Sequence, residues 1–179
     1  MILVFDCTVL INLIDRCKSK NLIPVIASYG FEIHIVQTVL DEYMNGLSIH
    51  PGKVNIQRFN KHLNKNLKVI NDGKFALNSA KDFLSLDSGE LMSVMYKRNE
   101  LNGCILCTDD LAVHKTVRRV LGKKCLWTVD LLLLLHQQPL SSISKQDILR
   151  YYQEMLNNGF MGILSSALEL NKTINIADY

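Results

Sequence analysis

Short apolar runs alternate along the chain with longer stretches whose apolar residues recur every three or four positions. Ile2-Leu3-Val4-Phe5 and Cys104 to Cys107 are continuous runs, and Glu32 to Val36 is rich in β-branched residues. Runs of this length suit strands buried on both faces of a parallel sheet. Helical patterns lie between them. Thr8 to Arg16 carries Val9, Leu10, Leu13 and Ile14 at helical spacing. Thr38 is expected to open a second helix, with Val39, Leu40 and Tyr43 on one side and Gly46 as its stop. Asp87-Ser88-Gly89-Glu90 has the form of a capping box and predicts a helix through Leu91, Val94, Met95 and Arg98. Leu111 to Leu121, closed by Gly122, predicts another. The remaining pattern predicts short strands over 67–70 and 124–128, a short helix over 75–84, and helices over 131–136, 145–156 and 163–170.

Strands alternating with helices imply an α/β fold with a parallel sheet covered on both faces. No repeat, low-complexity tract or linker interrupts the pattern, so residues 1–179 are expected to form a single domain. The part from about 139 to 179 would be a helical extension of it. Apolar residues make up 48% of the chain and charged residues 21%, as in ordinary globular proteins. The apolar run from Val129 to Leu135, with Asp130 inside it, is far short of the roughly 20 residues that cross a bilayer. The first residues lack a basic segment and a cleavage site, so a cytoplasmic location is expected. Cys7, Cys17, Cys104, Cys107 and Cys125 make an odd count, which argues against a disulfide framework. Cys104 and Cys107 have CxxC spacing but lie in an expected strand. They read as small buried hydrophobes.

In an open parallel sheet, sites form at the carboxyl ends of the strands. Asp6 directly follows the first strand, and Asp109-Asp110 follow the 104–107 strand. Glu42 and Glu90 lie early in helices that follow strands or turns. Each acid alone has a plain structural reading, because helix starts favour carboxylates. Five on one edge, with no matched basic residue, would repel one another unless a cation neutralised them. All-oxygen ligation suits Mg²⁺ or Mn²⁺, and such an ion activates water for phosphodiester hydrolysis.

These residues resemble the motifs of the PIN-domain family. Asp6-Cys-Thr8-Val-Leu10-Ile11-Asn-Leu13 looks like its opening motif, and Val39-Leu-Asp-Glu42 like its second. Leu86-Asp-Ser-Gly89-Glu90 looks like the Gly-Glu version of the third, and Thr108-Asp109-Asp110-Leu-Ala112 like the fourth. The stretch from Gly159 to Leu170 is similar to the tail of a prokaryotic subgroup related to VapC-like toxins. The resemblance implies a three-layer α/β/α fold and metal-dependent endoribonuclease activity. Asp6, Glu90, Asp109 and Asp110 would be metal ligands, with Glu42 among the catalytic acids. Thr8, Thr108, Asp87 and Arg118 would play supporting or substrate-binding roles. RNA would be the substrate, with an antitoxin as a further partner and a homodimer as the assembly. The chain departs from the family pattern at Val113-His114, at Gln37-Thr38, and in having Glu90 where Asp is commoner.

Formal net charge is only +3, which proves no polyanionic partner. The basic residues from Lys53 to Lys68 and the cluster His114, Lys115, Arg118, Arg119, Lys123 and Lys124 are candidates for phosphate contacts, set against solvated surfaces. Lys97 and Arg98 are open to both readings. The six Phe, six Tyr and one Trp do not interleave with these charges, so no stacking platform is expected. Two rival functions stand beside the nuclease. A haloacid-dehalogenase-like phosphatase would need an Asp where Thr8 stands. A catalytically silent PIN-like module would bind RNA or protein with the same acids present.

Overall fold

The computed structural model describes residues 1–49, 56–63, 65–73, 86–100, 103–159 and 171–179. The helices expected over 75–84 and 163–170, the motif from Gly159 to Leu170 beyond its first residue, and Lys53 lie outside them. Four strands form one sheet: β1 (Ile2–Phe5), β2 (Glu32–Val36), β3 (Leu67–Ile70) and β4 (Cys104–Cys107). The order is β3-β2-β1-β4 and every pairing is parallel. The register Ile2↔Cys104 through Phe5↔Cys107 ends β1 and β4 at the same level. Leu3, Val4 and Phe5 of β1 and all four residues of β4 are buried, whereas β3, at the sheet edge, is only partly covered. Apolar runs without alternation are what covered strands require.

Helices cover both faces, giving a three-layer α/β/α arrangement. Helix α1 (Cys7–Leu10) runs into a π-helical segment, Ile11–Arg16, followed by α2 (Leu22–Ser28). Helix α3 (Gln37–Ile49) follows β2, and the short α4 (Ile56–Asn60) precedes β3. Helix α5 (Ser88–Glu100) leads into β4, and α6 (Leu111–Leu121) leaves it. Helices α7 (Thr128–His136) and α8 (Lys145–Asn157) close the described core. Helices α3 and α5 pack on one another and on the strands, while the π-helical segment packs with α2 and α8, and α8 with α7. Ile148, Tyr151, Tyr152 and Met155 of α8 belong to the same buried cluster as β1.

Several local expectations are corrected. Helix α3 begins one residue early and runs through Gly46. Its first turn is capped by Asp72, whose Oδ2 accepts the Thr38 N–H and hydroxyl at 2.8 and 2.6 Å. An interior Gly costs roughly 1 kcal/mol relative to Ala, which packing readily overrides. The strand expected over 124–128 is a single bridge, Leu126 to Cys107, and Thr128 already starts α7. Helix α2 was not expected. Pro24 lies in its first turn, where the residue four back, Lys20, stands outside the helix and its carbonyl does not clash, and Leu22, Ile23 and Ile26 bury its inner face. Gly122 ends α6 as foreseen, at φ 64°, a left-handed C-cap.

Candidate active site

Parallel register carries the ladder one step past the strands: the Asp6 N–H donates to the Cys107 carbonyl at 3.2 Å. Asp6 and Thr108 therefore sit side by side at the carboxyl edge. The Asp6 carboxylate is held at both oxygens. Oδ1 accepts the Thr8 hydroxyl at 2.7 Å and the Val9 N–H at 3.1 Å, which makes Asp6 the N-cap of α1. Oδ2 accepts the Thr108 hydroxyl. Both threonines also tie down the β4–α6 turn. Thr8 Oγ1 accepts the Asp109 N–H at 3.1 Å, and Thr108 Oγ1 accepts the Asp110 N–H at 3.0 Å.

The two adjacent aspartates face different ways. Asp110 caps α6, with Oδ1 accepting the N–H groups of Ala112 and Val113. Its Oδ2 takes no hydrogen bond among the described residues. Asp109 turns inward. Its Oδ1 accepts the Thr128 N–H at 2.9 Å, and its Oδ2 accepts the Asn12 amide at 2.7 Å and the Thr128 hydroxyl. Asn12 in turn accepts from Arg16 Nη1 at 2.7 Å. The π-helical turn, closed by Cys17 N–H on the Asn12 carbonyl, presents Asn12 to this corner. Such widened turns recur at functional sites.

Glu90 and Glu42 reach the same edge from helices. The foreseen capping box is present: Glu90 N–H donates to Asp87 Oδ1 at 2.9 Å, and Asp87 N–H to Glu90 Oε2 at 3.1 Å. Glu42 Oε1 accepts the Gly89 N–H at 2.8 Å. A Cβ at Gly89 would sit on the Glu42 carboxylate, so only glycine lets α3 and α5 meet in this way.

The acids feel one another. Burial pushes the Asp6 carboxyl up to about 7, and the charge of Asp109 adds to the rise, against lowering bonds from Thr108, Thr8 and Val9. Burial lifts Glu90 to about 7 as well, with the charges of Asp87, Asp110 and Asp6 adding and the Asp87 N–H opposing. Glu42 is raised by burial and by Asp87. Asp109 is raised by burial despite its bonds to Thr128 and Asn12 and the nearby charge of Arg16. Cys7 lies among these carboxylates: burial first, then Asp6, Glu42 and Asp87, push its thiol up to about 12.

Among the described residues, no group of three or more His, Cys, Asp or Glu side chains stands ready to surround an ion. The donor chemistry still suits a hard cation. Asp6, Asp87 and Asp110 lie within electrostatic reach of Glu90, and among the described residues Glu90, Asp110 and Glu42 each keep one oxygen without a hydrogen bond. Protein donors take both oxygens of Asp6 and of Asp109, and Asp109 fits such an ion least because the charge of Arg16 already lies near it. Arg118 is exposed and makes no bond to any of these acids. It faces a separate cleft along α6.

Sequence reasoning passed over Asn12, Arg16 and Thr128. Asn12 stood inside the first motif, but nothing local marks its partner Asp109. Several basic candidates are structural. Arg58 donates to the carbonyls of Ile14, Cys17 and Lys20, and His62 is buried against Asn21. Lys97 is buried and donates to the carbonyl of Cys104 and to the main-chain oxygen of Tyr179. Cys104 and Cys107 are buried in β4, as small hydrophobes would be. No helix of the described residues is long and apolar enough to cross a membrane.

No family model matches the chain, and neither a curated protein nor a solved structure matches it. Fold and site together define a three-layer α/β/α protein with a carboxylate-lined sheet edge.

Proposed function

We propose that the protein is a metal-dependent endoribonuclease of the PIN-domain type. The observation that carries this is the β1–β4 register. It sets Asp6 beside the Thr108-Asp109-Asp110 turn, with Glu90 and Glu42 docked through Gly89 onto the same edge. Asp6, Glu90 and Asp110 would hold a Mg²⁺ or Mn²⁺ ion, with Glu42 beside them. Such an ion, when bound, supplies an activated water and offsets charge developing on a phosphate.

The remaining work belongs to the chain. Thr8 and Thr108 fix the direction of the Asp6 carboxylate by donating to one oxygen each. Asp109 positions the turn: by holding Asn12 and Thr128 it anchors the start of α6 to the π-helical segment and to α7. The raised values of Asp6 and Glu90 mean that each holds its proton part of the time near neutral pH, and a cation would displace those protons. Ion affinity should therefore rise with pH.

Purified protein given mixed single-stranded RNA should cleave it with Mn²⁺ or Mg²⁺. Cleavage should stop in EDTA and in Asp6→Asn. Retained cleavage in Asp6→Asn would remove this site from the reaction.

A second reading has its own support, the lack of a ready-made three-acid group among the described residues. A silent module that binds RNA or protein would use the same edge without chemistry. A folded sample that takes up Mn²⁺ and cleaves no RNA would favour it. In the toxin version of the first reading, an antitoxin would cover the carboxylate edge.

A further inference from the structure

Between α6, α7 and the 171–179 segment lies a cleft of about 250 Å³. Its lining includes His114, Lys115, Arg118, Lys124, Trp127 and Lys172. Lys124 pairs with Asp178 at 2.8 Å, and Lys172 with the buried Asp130 at 3.0 Å. Lys115 and Arg118 are exposed, one turn apart on α6, and have no acidic partner among the described residues. The cleft thus keeps surplus positive charge.

It also holds an aromatic surface that the sequence does not announce. The His114 and Trp127 rings stack at 3.6 Å between centroids with 12° between planes, and both are partly exposed. His114 Nε2 is 3.0 Å from the Thr108 carbonyl, so the stack is tied to the turn that bears Asp109 and Asp110. Leu111, the residue after Asp110, lines the same cleft, so the cleft reaches the turn that bears the two aspartates.

We propose that this cleft is a subsite for single-stranded RNA next to the carboxylate edge, with Lys115 and Arg118 on backbone phosphates and the His114–Trp127 stack receiving a base. The choice of RNA rests on the ribonuclease reading. The chemistry is that of single-strand binders: cations track the backbone, and ring faces accept any base.

Trp127 is the chain's one tryptophan, so its emission reports this cleft alone. A short mixed-sequence single-stranded RNA titrated into the full chain in EDTA should change that emission saturably, and more weakly as salt rises. Lys115→Ala and Arg118→Ala, checked for folding by circular dichroism, should each weaken the titration. Each should also lower the slope of log affinity against log salt by about 0.7 to 1. Labelled RNA that binds by anisotropy while Trp127 emission stays unchanged would overturn the subsite, as would a titration that neither variant affects. An equal emission response to duplex RNA or to an acidic peptide would overturn it too. An emission response without metal-dependent cleavage would keep the subsite and remove the nuclease reading, whereas cleavage with silent Trp127 emission would do the reverse.

Discussion

The acids at the strand ends and the acids at the helix starts are built differently. Asp6 and Asp109 stand where β1 and β4 end, and protein donors take every one of their carboxylate oxygens. Glu42 and Glu90 hang from α3 and α5, each by one main-chain N–H, with one oxygen left over. The first pair is part of the fold: removing a member strands buried donors. The second pair is attached to the fold and can change with little structural cost. One edge of the sheet therefore combines a rigid floor with adjustable walls.

Measurements on the floor should show the largest effects. In EDTA, the protein should lose stability as pH rises from about 4 to about 7. The folded state keeps protons on Asp6 and Glu90 in that window, whereas the unfolded chain has released them. Stability is full below the ordinary carboxylate value and is lost as pH passes through about 7. The fully buried Asp6 alone would contribute on the order of 4 kcal/mol, from its rise from 3.8 to about 7 at 1.36 kcal/mol per pH unit. Urea unfolding across pH should show this fall, and Asp6→Asn should flatten most of it. A flat profile in the parent protein would mean that Asp6 is solvated.

Asp109→Ala should cost about 3 kcal/mol in the same unfolding assay. It leaves the Asn12 amide, the Thr128 hydroxyl and the Thr128 N–H without their acceptor. Asp110→Asn keeps a side-chain oxygen for the α6 cap and should stay within about 1 kcal/mol of the parent while losing cleavage. If the two substitutions behaved alike, the distinction between inward and outward aspartate would fail. Thr108→Val should cost about 2 kcal/mol, since it removes a donor to Asp6 and the acceptor of the Asp110 N–H.

The walls should respond in the opposite way. Gly89→Ala drives a Cβ into the Glu42 carboxylate, which is the free end of a flexible side chain and can swing aside. Thermal stability should move by less than about 1 kcal/mol, within the range of ordinary surface changes. Metal-dependent cleavage should fall roughly tenfold or more, as for other displaced catalytic groups. A large loss of stability with unchanged cleavage would place Glu42 in the fold and outside the site.

The apolar runs of β1 and β4 need burial on both faces, and an acid directly after such a run must be solvated, paired or ligating, so Asp6 and Asp109-Asp110 are legible as residues of the sheet edge. The Asp87–Glu90 capping box depends on three residues of spacing and was equally legible. The polar floor was not. Asp109 finds Asn12 97 positions away in sequence, Thr108 finds Asp6 across 102, and Glu42 finds Gly89 across 47.

The same division explains the helices and the cleft. Asp72 caps α3 from 34 residues beyond Thr38, so the start of that helix was set by a partner its own sequence does not contain. His114 and Trp127 meet only because α6 and the turn into α7 fold against each other. By itself, the sequence determined the four strands that pair, the capping of α5 and α6, and which acids reach the sheet edge, because hydrophobic period and cap geometry act over a few residues. Only the tertiary structure decided which carboxylate oxygens are spent and which are left open, because hydrogen bonds across crossover connections depend on register and packing, and local spacing carries no record of either.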